Sequence, residues 1–109
     1  MPDVELLWWE GCPSTEGALD QLRQTLDELG IGETEVTSTE IRTEADARAA
    51  HFIGSPTIRI DGADVVPPPA DEPTGLNCRI YRRRDGRISP TPDPDDIRDA
   101  LRRAMEVTR

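Results

Sequence analysis

An apolar run that ends in a glycine, a cysteine and a proline, and then turns amphipathic, leaves this chain few ways to fold. Residues 4–9 are apolar at every position but Glu5, the pattern of a central strand covered on both faces. After Gly11-Cys12-Pro13, the residues Ala18, Leu19, Leu22, Leu26 and Leu29 recur at steps of three and four. A helix over 13–29 therefore buries one face and stops at Gly30. Cys12 then stands where the first amides of a helix have no carbonyl partners, a setting in which thiols are reactive.

The rest of the chain supports an α/β reading. Residues 34–41 are rich in β-branched types, yet Val36 is the only apolar one before Ile41, which fits a half-exposed edge strand. Thr43 caps a short helix containing Ala45, Ala49 and Ala50, with Asp46 placed to answer a free amide. Residues 52–60 read as a loop entering a strand at Thr57, Ile58 and Ile60, with Pro56 at the join. Gly62, Pro67, Pro68, Pro69, Pro73 and Gly75 make 61–77 one long loop. Residues 78–82 alternate as a strand, Asp85-Gly86 gives a turn, and Asp93-Pro94 opens a last helix with Ile97, Ala100, Leu101 and Ala104 buried. The expected order is β-α-β-α-β-β-α, a four-stranded mixed sheet flanked by helices in one domain over 1–109.

Composition narrows the chemistry. A net charge of −9 over 109 residues argues against nucleic acid and against membrane surfaces as partners. No apolar stretch approaches the roughly 20 residues of a membrane span, and no export signal is read, so the expected compartment is the cytoplasm. There two thiols stay reduced, and a disulfide between them would be functional rather than structural. Every basic side chain is Arg, which removes lysine Schiff-base chemistry. Two cysteines and the lone His51 fall short of a closed zinc site unless carboxylates join. His51 itself is expected to pack or face water near a helix end, and no cofactor is implied.

With a thiol ending the first core strand, Cys12-Pro13-Ser14-Thr15 at a helix start, and Ser55-Pro56 before a later strand, the chain resembles the thioredoxin-like superfamily. The resemblance implies that Pro56 is cis and lies beside the reactive cysteine. It also implies that the Ser55 backbone pairs with a bound peptide or thiol. Thr15 stands where dithiol members have their second cysteine, so the ordinary C-x-x-C cycle cannot run. A second resemblance is to the organomercurial (alkylmercury) lyases, carried by Cys12, Gly54-Ser55-Pro56 and Cys78-Arg79-Ile80-Tyr81. It implies two-thiol capture of a soft metal, with Cys12 attacking first and Cys78 supplying the second sulfur. Where that family has a proton-transferring aspartate, this chain has Thr15.

The site expected from sequence comprises Cys12, Cys78 and Thr15 as reacting or assisting groups. Ser55, Pro56, Trp9 and Ser14 form its walls, and Cys12 and Cys78 are the ligands of any soft ion. In a simple hairpin, residues 78–82 would start at the end of the sheet away from Cys12. The two sulfurs meet only if the 61–77 loop returns across it. Trp8 and Trp9 must point to opposite faces, one into the core and one over the thiol. Arg79, Arg82, Arg83, Arg84 and Arg87 read as a strand edge guarded by charge, with an anion dock as the alternative. Three functions stay open: soft-metal or organomercurial thiol chemistry, a monothiol disulfide oxidoreductase, and an interaction module without catalysis. The corresponding partners are a soft-metal compound, a small thiol or a thiol protein.

Overall fold

The apolar run forms β1 (Val4–Trp8), and its alternation feeds two separate cores. Val4 and Leu6 enter a cluster with Ala18, Leu22, Leu26, Ile58, Ile97 and Leu101. Leu7, one residue out of phase, joins Ile41, Ala47 and Phe52 on the other side. Burial on both faces is why the run lacks alternating polar positions. The structure, a computed structural model, describes residues 2–107.

The helices follow from their stripes and caps. α1 (Thr15–Glu28) buries Ala18, Leu22, Thr25 and Leu26, with the Thr25 hydroxyl donating back to Gln21 O at 2.9 Å. Leu22 is fully enclosed, so its truncation to Ala costs about 2–5 kcal/mol. α2 (Glu44–Ala50) starts as its sequence predicts: Asp46 N–H donates to Thr43 Oγ1 at 3.0 Å, and Asp46 Oδ2 accepts from Arg42 N–H. It ends at His51, exposed and left-handed at φ 53°. α3 (Pro94–Val107) buries Ile97, Leu101 and Ala104 and packs on α1.

Strand pairing places the chemistry. β2 (Val36–Glu40) runs parallel to β1 at the sheet edge, from Val4 opposite Val36 to Trp8 opposite Glu40. β3 (Thr57–Ile60) runs antiparallel to β1 on its other side, and β4 (Ala63–Asp64) is antiparallel to β3. The four-stranded mixed sheet thus has the order β2-β1-β3-β4.

Two expectations are corrected. The segment 61–77 is not one loop: Asp61 and Gly62, at φ 52° and 82°, form a two-residue turn that sends the chain straight into β4. An Asp-Gly pair is a strong hairpin signal because both turn positions need positive φ. Nor do residues 78–82 form the next strand of the sheet. Only Tyr81–Arg82 is extended, as β5, and it pairs with β6 (Ile88–Ser89) in a separate hairpin.

Candidate functional site

The corner after β1 holds Cys12 tightly. Its amide donates to Trp9 O at 3.1 Å, closing a turn, and the residue is only 8% exposed. Helix α1 begins at Thr15, later than the expected residue 13, with Ser14 before it making no side-chain cap bond. Pro13 and Ser14 therefore separate the thiol from the helix proper. The Cys12 sulfur instead donates to the Ser55 carbonyl at 3.5 Å. The Ser55–Pro56 bond is cis, and both residues are buried.

Cys78 reaches the same place from the far side. After β4 the chain continues back along β3, Val65 N–H donating to Ile58 O at 3.0 Å, and it returns to Ser55. There Ser55 N–H donates to Asn77 O at 2.7 Å and Arg79 N–H donates to Ser55 O at 2.8 Å, a parallel bridge centred on Cys78. Ser55 is thus the common neighbour of both cysteines. The return across the sheet, the condition for the sulfurs to meet, is fulfilled. Cys78 is exposed, and its thiol is pushed up by desolvation first, then by the charge of Cys12 and a side-chain hydrogen bond with it. Both cysteines are free thiols.

The strap 77–79 is anchored by Arg79, and here the sequence reading is corrected again. Arg79 is not part of a charged edge; it is 8% exposed and works as a clip. Its guanidinium donates to Asp64 Oδ2 at 2.7 Å, Thr57 Oγ1 at 3.2 Å and Val66 O at 2.9 Å. It also lies 4.5 Å from the centroid of the Tyr81 ring. Tyr81 in turn donates its hydroxyl to Pro56 O, and burial holds that phenol well above its ordinary range. A buried charge needs this degree of pairing, since an unpaired one costs several kcal/mol. On the opposite side Trp9 Nε1 donates to Asn77 O at 3.0 Å. Gly54 lets the strap approach: a Cβ there would lie 2.8 Å from Arg79 Cγ and 3.0 Å from Asn77 O. Further along, Arg84 pairs with Asp96 and Asp99, and Arg87 with Asp85.

Two clefts open on the sulfurs. One of about 440 Å³ is lined by Cys12, Trp8, Thr15, Glu10, Glu16 and Ser38, among others. The other, of about 460 Å³, is lined by Cys78, Ile53, Pro67, Pro68, Ile80 and Glu72, among others. Trp8 and Trp9 do lie on opposite faces, but each is half-buried. Trp8 borders the Cys12 cleft and bonds Ser38 Oγ at 2.8 Å, whereas Trp9 secures the strap. Thr15 Oγ1 and Ser55 Oγ are buried without a hydrogen-bond partner, so their protons are uncommitted. Of the expected residues, Cys12, Cys78 and Ser55 converge, with Pro56 next in the chain. Thr15 shares the Cys12 cleft, and Ser14 makes no side-chain cap bond at the start of α1. Sequence reasoning missed Asp64 and Thr57, which hold Arg79; both are scattered polar residues with no motif. No group of three or more His, Cys, Asp or Glu able to hold a metal occurs among the described residues. No helix among them is long and apolar enough to cross a membrane. Comparisons with protein-family models, with curated proteins and with solved structures found no match.

Proposed function

We propose that this chain is a thioredoxin-like two-thiol protein that takes up a soft, thiophilic group between Cys12 and Cys78. The observation that carries the reading is the pairing of Cys78 alongside Ser55, whose carbonyl also accepts from the Cys12 thiol. The strand order β2-β1-β3-β4 and the position of Cys12 ahead of α1 support the thioredoxin-like part. Two sulfurs suit a two-coordinate soft ion such as Cu(I) or Hg(II), and a site with only two thiolates does not suit zinc. Taking up Hg(II) replaces two S–H bonds by two S–Hg bonds and releases two protons. With an arylmercurial, the first thiol forms S–Hg and releases a proton. The second thiol then forms the other S–Hg bond while its proton passes to the departing carbon. Thr15 offers only a hydroxyl for that transfer, so capture is the function and arene release is slow.

Titration with inorganic Hg(II) tests this. One ion per chain, with both thiols lost to alkylation, is the expected result. One thiol remaining fully titratable at one ion per chain overturns it.

The convergence of two free thiols on Ser55 also favours a second reading, reversible disulfide exchange. One thiolate attacks a disulfide and expels a thiolate. The other then attacks the mixed disulfide, and two electrons and two protons pass from the protein to the substrate. Mild oxidation should give a Cys12–Cys78 link by mass mapping; its absence at full thiol loss excludes this reading.

A further inference from the structure

We propose that the substrate of this thiol pair is a small, apolar, non-anionic thiol-reactive molecule, not a polypeptide, and that Cys78 is the sulfur it meets first. The inference rests on the two-thiol reading above and adds the substrate class and the order of attack.

A polypeptide is excluded by the backbone. An extended peptide docks beside a sheet residue by using that residue's free N–H and C=O. At Ser55 neither is free: the N–H donates to Asn77 O and the carbonyl accepts from Arg79 N–H and from the Cys12 thiol. Lifting the strap would break both backbone bonds, the Trp9 bond to Asn77 O and the buried Arg79–Asp64 pair. The chain has filled its own docking edge.

Anions are disfavoured by what lines the two clefts. The Cys12 cleft carries Glu10 and Glu16 and no basic residue. The Cys78 cleft carries Glu72, and its one cation, Arg79, is already bound by Asp64. The rest of its lining is Asn77 together with Ile53, Val66, the prolines 67–69 and Ile80, the last 76% exposed. An organic group finds an apolar wall there, while a carboxylate finds a carboxylate.

The order of attack follows from access. Displacement at sulfur needs an in-line approach, and a substrate can reach the exposed Cys78 before it reaches Cys12, which is 8% exposed and turned to the Ser55 carbonyl. Cys78 forms the first covalent bond and expels the leaving group. Cys12 then attacks from within, or supplies the second bond to a metal.

Stopped-flow reaction of the reduced Cys12→Ser variant with neutral dithiodipyridine and with dianionic dithiobis(nitrobenzoate) tests this, each rate divided by that of a small free thiol at the same pH. The neutral reagent should be preferred by roughly tenfold or more at low salt, and the preference should shrink in added salt and in Glu72→Gln. Equal normalised rates, or a faster anion, overturn the substrate class. In the intact protein, faster labelling of Cys78 than of Cys12 under limiting reagent supports the order, and the reverse overturns it. Turnover of a protein disulfide as readily as of a neutral small disulfide overturns the exclusion of polypeptides. Because the Cys12→Ser measurement uses a single thiol, it gives its answer even if the pair never forms a shared bond.

Discussion

Cys12 and Cys78 converge on one serine, yet they are held there by different physics. Cys12 sits at the junction of β1 and α1, and both elements are fixed by apolar side chains at regular spacing in a shared core. Cys78 sits on an irregular strap fixed by a guanidinium, two backbone bonds to Ser55 and an indole N–H. Burial of apolar area is non-directional and tolerates small shifts, whereas the strap depends on donors and acceptors that must meet at the right distance. The half of the site that is easier to disturb is the half that carries the exposed thiol.

The largest test of this contrast is Arg79→Met, which leaves Asp64 as an uncompensated carboxylate only 13% exposed. We expect about 3–5 kcal/mol of lost stability by urea unfolding, with part of it recovered when Asp64→Asn is added. Arg84→Met, at an exposed pair, should barely move the midpoint. Gly54→Ala comes next: the added Cβ overlaps the strap but not the core. It should cost about 1–3 kcal/mol and slow Cys12–Cys78 disulfide formation while leaving the α1 and β1 amides protected in hydrogen exchange.

Smaller again is Asp93→Asn. Asp93 accepts from Arg84 N–H at 2.8 Å and Asp95 N–H at 2.9 Å, and these amides hold its carboxyl below the usual range. A lowered folded value means the contribution is present above the unfolded value and lost as pH falls through the folded one. The wild type should therefore lose stability in acid that the Asn variant, with one acceptor oxygen for the two amides, has already lost, so their unfolding midpoints converge there.

The smallest effect is at Cys78 itself. Its thiol is raised by desolvation and by Cys12, so Cys12→Ala should move the pH inflection of Cys78 alkylation downward. A raised folded value also means that the contribution of this thiol to stability is full below the unfolded value and fades as pH rises through the folded one. An unmoved inflection would show that the two sulfurs do not sense each other.

The same contrast explains what the sequence reveals. β1, α1, β2, α2 and α3 announce themselves through apolar period and caps, since each is decided by residues a few positions apart. The place of Pro56 at the entry to β3 is legible from local order, whereas its position beside Cys12 is implied only by the resemblance to thioredoxin-like proteins. β4 is hidden because Asp61-Gly62 stands next to a proline-rich stretch that masks a two-residue turn. The location of Cys78 is not legible at all. It depends on Arg79 finding Asp64 and Thr57 across the fold, and polar contacts at long sequence separation leave no periodic trace. Arg79 also sits in an arginine-rich stretch, which disguises a buried clip as surface charge.

The turn at Asp61-Gly62 has one more consequence. Because it completes the sheet at once, the residues between Val66 and Gly75 form a tether outside the strands and helices, pinned at one end by Arg79 on Val66 O and at the other by Gly75 N–H on Phe52 O. Once the strap 77–79 is undocked, the local concentration of one sulfur at the other is set by the length and stiffness of that tether, in which Pro67, Pro68 and Pro69 restrict the chain. Doubling a flexible tether changes its closure cost by only about 0.6 kcal/mol. Shortening or lengthening it therefore offers a graded control on how readily the thiols share a substrate, set apart from the frame that keeps the protein folded.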